Sequence, residues 1–174
     1  MWRPRLEQHS APVLVRGLAA GALGTLALSA WEPLRDGLLG HPPPYSVRDI
    51  ATRAFRNTWG LRLAPRPAQH LGLLMRWLYG PALGVLYARL RPALPPAARR
   101  WGLVPGTGVG LFEQLAFALL RVTAPPRTWT PAEHALLALQ VLLYGLVTEA
   151  VLSREDAQGS RRSGTSARIR ASRR

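Results

Sequence analysis

Residues 106–117 read Gly-Thr-Gly-Val-Gly-Leu-Phe-Glu-Gln-Leu-Ala-Phe, or GTGVGLFEQLAF. The glycines suggest a loop that cradles phosphate. They open onto an apolar run with an acid–amide pair at its centre. The phosphate reading fails on composition. A P-loop needs a lysine followed by Ser or Thr, and the chain has no lysine. A dinucleotide fingerprint needs Gly-x-Gly-x-x-Gly after a strand. Here the glycines stand at 106, 108 and 110, and no strand pattern precedes them. What remains is an apolar helix that carries a carboxylate, Glu113, in its middle.

The neighbouring sequence extends this pattern. The stretch belongs to an apolar block from about Val104 to Val122, and three more follow the same plan: Val13–Trp31, Leu71–Leu90 and Ala135–Leu152. A helix rises ~1.5 Å per residue, so each block covers about 30 Å, the hydrocarbon thickness of a bilayer. Four such blocks in 174 residues leave too little polar surface for a soluble protein. Trp31, Trp101 and Trp129 fall at block edges, where an indole suits the headgroup layer. Thr130-Pro-Ala-Glu133 reads as a capping box opening the fourth helix. The expected fold is all-α: a four-helix transmembrane bundle over residues 1–154, with a short amphipathic helix in the first loop. A disordered Arg-rich tail is expected over residues 155–174. A competing reading makes Ala27-Leu-Ser29 a signal-peptidase site.

The net charge is +14, and all 23 basic residues are arginine, which points to a G+C-rich bacterial coding sequence. With four spans, the N-terminus, middle loop and C-terminus share one side and carry fourteen arginines. The other side carries eight, including Arg35 in the long first loop. This bias places both termini in the cytoplasm and the protein in the bacterial inner membrane. The tail suits anionic lipid headgroups, and nucleic acid is not an expected partner. A soluble nucleic-acid binder, the third reading, would leave the apolar blocks unexplained. A second copy of the chain is an admissible partner.

In the first loop, Ser46-Val-Arg-Asp49 resembles a helix start. Val47, Ile50, Ala51, Ala54 and Phe55 follow at helical spacing, for a helix on the membrane surface or capping the bundle. Pro42-Pro-Pro-Tyr45 spells a WW-domain ligand but reads better as a stiff connector.

Small residues recur four apart at Gly17/Gly21, Gly80/Gly84 and Gly106/Gly110, the pattern that lets membrane helices approach closely. A faint repeat pairs Leu78-Tyr79-Gly80 with Leu143-Tyr144-Gly145, and Gly17/Gly21 with Gly106/Gly110. Ionisable groups in hydrocarbon cost ~3 kcal/mol or more unless paired, so they should face the bundle. Counting depth at ~1.5 Å per residue, Arg76, Glu113, Gln114 and Gln140 form one polar intramembrane cluster, with an Arg76–Glu113 ion pair braced by the amides. Arg16 can snorkel, and Glu149 can meet Arg154 or water. His9, His41, His70 and His134 have no partners at metal-ligand spacing, and no cysteine is present. No catalytic, cofactor or metal residues are assigned.

Gly17-Leu-Ala-Ala-Gly21, Trp31-Glu32-Pro33, Pro42-Pro43-Pro44, His70 with Tyr79-Gly80 and Tyr87 make a further pattern. It continues with Trp101-Gly102, Gln114, Pro125-Pro126, Trp129 and Glu133-His134. Over residues 13–154 it resembles the YagU-like family of small bacterial inner-membrane proteins; the loop lengths and the Arg tail depart from it. The resemblance implies an integral membrane protein with a loose link to acid or envelope stress, and no catalytic residues. The expected function is therefore non-enzymatic. The alternative is a small transporter or proton-handling protein using the Glu/Arg cluster.

Overall fold

The computed structural model describes the backbone of residues 10–171 and the side chains of residues 13–157. The elements are α1 (Ser10–Leu39), α2 (Val47–Trp59), α3 (Pro65–Leu90), α4 (Pro96–Arg99), α5 (Leu103–Leu120) and α6 (Pro131–Ala171), with short 3₁₀ turns between some of them. Among the described residues there is no strand. Four helical stretches are long and apolar enough to cross a bilayer: Val13–Leu39, Pro65–Ala93, Pro96–Leu120 and Pro131–Ala157.

Three boundaries differ from the sequence reading. First, α1 does not stop at the Trp31-Glu32-Pro33 edge. It passes through Pro33 and ends at Leu39, before Gly40 in the left-handed region at φ 72°. A proline inside a membrane helix removes one N–H, which neighbouring groups can offset. Second, α6 continues past residue 154 into the region expected to be disordered. Glu155 and Asp156 there are held by Arg16 of α1. The side chains of Arg161, Arg162, Arg168, Arg170, Arg173 and Arg174, which carry the headgroup reading, lie outside the described residues, as do Arg3 and Arg5. Third, Trp129 is buried beside Tyr45 and bonds Ala124 O through its indole N–H at 3.0 Å, so it lies in the packed core rather than on the edge. Trp101 stays exposed.

Large apolar side chains cover the outside, and several polar ones are buried among the core clusters. Leu14, Leu26, Leu74, Leu86, Leu115 and Leu119 face outward, whereas Thr25, Arg35, Arg76, Glu113, Gln140 and Thr148 are buried. In water so broad an apolar surface would associate. In lipid it matches the solvent, and the polar groups must satisfy one another inside.

Packing relies on glycine. A Cβ on Gly17 would come 2.5 Å from Val85 Cα, and one on Gly21 would come 2.7 Å from Gly80 O. On α5, a Cβ on Gly106 would sit 2.7 Å from Val141 O, whereas Gly110 would tolerate one at 3.5 Å. The tightest crossing was not legible as a motif. Gly102, at φ 62°, and Gly145 face each other so closely that a Cβ on either would overlap the other's backbone. Trp101 is also left-handed, and this double turn is what delivers Gly102 to α6.

The α2 helix has its Ser46 cap, with the Asp49 N–H donating to Ser46 Oγ at 3.3 Å. Ile50, Ala51 and Ala54 are buried against the bundle, and Gly72 of α3 lies under the Val47 backbone. Of the two roles considered, α2 caps the bundle. Tyr45 of the connector is buried, with its hydroxyl donating to Glu133 O at 2.8 Å. It is thus unavailable as a peptide ligand. Thr130 and Glu133 form the reciprocal capping box: the Thr130 N–H donates to Glu133 Oε2 at 2.7 Å, and the Glu133 N–H to Thr130 Oγ1 at 3.2 Å.

Candidate functional site

Three of the buried polar side chains gather in the half of the bundle that α2 covers. Arg76 from α3 and Glu113 from α5 are each only 3 % exposed, and Gln140 from α6 is 1 % exposed. All three line one cavity. Gln114, the fourth residue of the expected cluster, is half-buried and does not line it. One turn of helix spans 3.6 residues, so residues 113 and 114 point about 100° apart, and only one can face inward.

The expected Arg76–Glu113 ion pair is replaced by different contacts. Arg76 Nη1 lies 2.8 Å from Glu32 Oε1, and Glu113 Oε1 accepts a 2.5 Å hydrogen bond from the Tyr79 hydroxyl. The Arg76–Glu32 contact is close but misaligned: Arg76 Nε and Nη1 and Glu32 Oε1 are buried without a hydrogen-bond partner among the described residues. Arg35 sits beside them, 1 % exposed. Its Nη1 donates to Gln140 Oε1 at 2.6 Å, and its Nε and Nη2 grip Asp36 Oδ1 at 2.9 and 2.7 Å. Its guanidinium also lies 5.2 Å from the centroid of the Tyr45 ring.

Glu32, Arg35 and Tyr79 were therefore missing from the sequence assignment. The first two lie beyond Trp31, where the apolar block of the first span ends, yet α1 carries them on to Leu39. The signal that could have found them is the Glu32-x-x-Arg35 spacing, with Leu38-Leu39 still apolar beyond it.

The cavity has a volume of about 440 Å³. Its walls are mainly apolar and aromatic, including Tyr45, Ile50, Phe112 and Phe117. It lies between α3 and α5, which touch far less than the α1–α3 and α5–α6 pairs. Leu78, Phe112 and Leu120 line it and are also exposed on the outer surface. The gap between α3 and α5 is thus a lateral opening onto the apolar outer surface, flanked by Val47 and Ile50 of α2. This shape is typical of small-molecule sites: apolar walls with a few convergent polar groups.

The glycine contacts also reset the internal repeat. Gly21 rests on Gly80 and Gly84, and Gly102 rests on Gly145 and Leu146. The contact equivalent to Gly21 is therefore Gly102, not Gly110. Glu32 stands eleven residues after Gly21, and Glu113 eleven residues after Gly102. Leu28 and Val109, seven residues after the same glycines, pack together on Tyr144. The two carboxylates thus occupy matching positions in the two helix pairs, α1–α3 and α5–α6.

At the opposite end a second charged network ties the spans together. Arg91 holds Glu149 through Nη2 at 2.8 Å, Tyr87 donates to Glu149 Oε2 at 2.5 Å, and Arg91 and Arg16 both pair with Asp156. The expected Glu149–Arg154 contact gives way to Arg91, which follows α3 directly and is far better placed. Among the described residues no three His, Asp or Glu side chains gather as a metal site. Comparison of the chain with family profiles, with characterised proteins and with solved structures finds no match.

Proposed function

We propose that this protein is a non-enzymatic integral protein of the bacterial inner membrane that exchanges a proton at Glu113 as part of handling a small molecule in the lateral cavity. The observation that carries this reading is the position of Glu113. It is buried at membrane depth, lines a cavity open to the apolar outer surface, and has Tyr79 as its hydrogen-bond donor instead of an arginine. An ionisable residue inside a span is costly, and its retention marks a functional site. The proposed orientation keeps both termini in the cytoplasm. Moving Arg35 from the loop into the bundle sharpens the arginine bias to fourteen against seven. The α2 helix and the cavity then lie in the periplasmic half. The Arg-rich tail would meet anionic headgroups on the cytoplasmic face. The YagU-like resemblance supports an envelope setting.

A buried polar lock that only orients helices is the competing role. Infrared difference spectroscopy on the purified protein separates the two. A carboxyl band that titrates with pH in the wild type and vanishes in Glu113→Gln is expected. A variant that loses its membrane abundance, together with a wild-type spectrum lacking a titrating buried carboxyl, would make Glu113 a lock. Fusing GFP or alkaline phosphatase after Arg174 checks the orientation, with fluorescence and no phosphatase activity as the expected result.

A further inference from the structure

Of the two charged side chains lining the cavity, Arg76 contacts a carboxylate but Glu113 contacts no cation, and that difference selects a ligand. Glu32, Arg35 and the 36 % exposed Asp36 lie just beyond the lining. Arg35 is matched by Asp36, and Arg76 by Glu32. Glu113 is left over. A lone carboxylate in a water-poor site is untenable, so it must hold either a proton or a cation. An anionic ligand would set a second negative charge beside Glu113, while a monovalent cation neutralises it.

The walls favour the same class. Tyr79 and Phe112 meet with ring centroids 5.2 Å apart beside Glu113, and Phe117 and Tyr45 line the same space. Aromatic faces attract a desolvated cation, and the Arg35–Tyr45 contact shows one such face already in use. A volume of about 440 Å³ with a lateral opening between α3 and α5 admits a drug-sized apolar body from the bilayer.

We propose that the cavity binds a lipophilic monovalent cation, its charge against Glu113 and its apolar body between α3 and α5, in competition with a proton on the same carboxyl. When the cation enters a protonated site, the Glu113 proton leaves for solvent and the charge of the site is unchanged. The groups facing Glu113 are Arg76 and Tyr79 from α3, Glu32 and Arg35 from α1, Tyr144 from α6, and Tyr45 from the connector. The carboxylates among these other groups already have arginine partners, so the exchange falls on Glu113. This inference rests on the proton-exchange reading given above.

The test uses the full chain in neutral detergent micelles, with tetraphenylphosphonium as the probe. Isothermal titration in buffers of different ionisation enthalpy reads affinity and proton release together. Saturable binding of one cation per chain is expected, weakened at least tenfold by acidification and by Glu113→Gln, with up to one proton released. Arg16→Ala, at the opposite end of the bundle, leaves the cavity intact and should retain binding. If Glu113→Gln fails to fold by circular dichroism, wild-type proton release decides alone. Absence of saturable binding, equal affinity in Glu113→Gln, or Arg76-dependent binding of dodecanoate instead would overturn the proposal. A Glu113 band that titrates without cation binding would sink this inference and leave the proton-exchange reading standing; no titration would sink both.

Discussion

The two ends of the bundle use the same chemistry in different surroundings. At the end where α1 begins and α6 leaves the membrane, Arg16 is 35 % exposed and shares Asp156 with Arg91. At the α2 end, Arg35 and Arg76 are almost fully enclosed and are paired with Asp36 and Glu32. Water and salt screen the Arg16 and Asp156 part of the first network, which works as a clasp between helix ends around the more enclosed Arg91–Glu149 pair. The second stands in a medium that strengthens attraction and penalises any unmatched group. Arginine–carboxylate pairing is therefore no guide to role by itself. Enclosure, and the presence of a carboxylate left over, distinguish a site from a clasp.

That contrast can be broken by mutation. The largest effect is expected from Arg76→Leu, which strands Glu32 in the bundle. Removing one partner of a buried pair costs about 3–5 kcal/mol, read as lost thermal stability in detergent. A loss as small as that of a surface pair would erase the distinction between the two ends. Arg91→Ala comes next. Its bonds to Glu149 are charged but lie near the helix ends, so ~1–3 kcal/mol is expected. Arg16→Ala should cost the least, ~0.2–1 kcal/mol, and the difference from wild type should shrink in high salt. If salt leaves that difference untouched, the network is less solvated than its exposure indicates.

A smaller pH effect sharpens the picture at the α2 end. Burial pushes the Tyr45 phenol up to about 12, with nearby Arg35 opposing the rise. An unfolded tyrosine titrates near ~10. The folded value is the higher one, so the contribution is complete below about pH 10 and is lost as pH rises through about 12. Wild type should lose more stability across that window than Tyr45→Phe, which lacks this one buried phenol. Phenolate absorbance of the folded protein monitors the same event.

Much of the fold was legible because a bilayer imposes one dominant rule on the chain. Apolar length fixed the four spans, and short-range chemistry fixed the Ser46 cap and the Thr130–Glu133 capping box. The Trp31-Glu32-Pro33 edge misled the reading, because a membrane helix tolerates proline where a soluble loop would begin. The Gly17/Gly21 and Gly80/Gly84 motifs were visible as spacings. The Gly102–Gly145 crossing was not, because it joins single glycines whose approach depends on the left-handed turn at Trp101.

The sequence by itself determined that four apolar helices must enclose Arg76, Glu113 and Gln140, since hydrocarbon forbids them elsewhere. It could not say which partner each would choose. Depth along a helix is read at ~1.5 Å per residue, but partner choice depends on rotation and on how closely the axes cross. Only the tertiary structure turned Glu32 and Arg35 inward, gave Arg76 to Glu32, and left Glu113 with Tyr79 beside an open cavity. Pairing inside a membrane is settled by packing because no water is present to serve the losing groups.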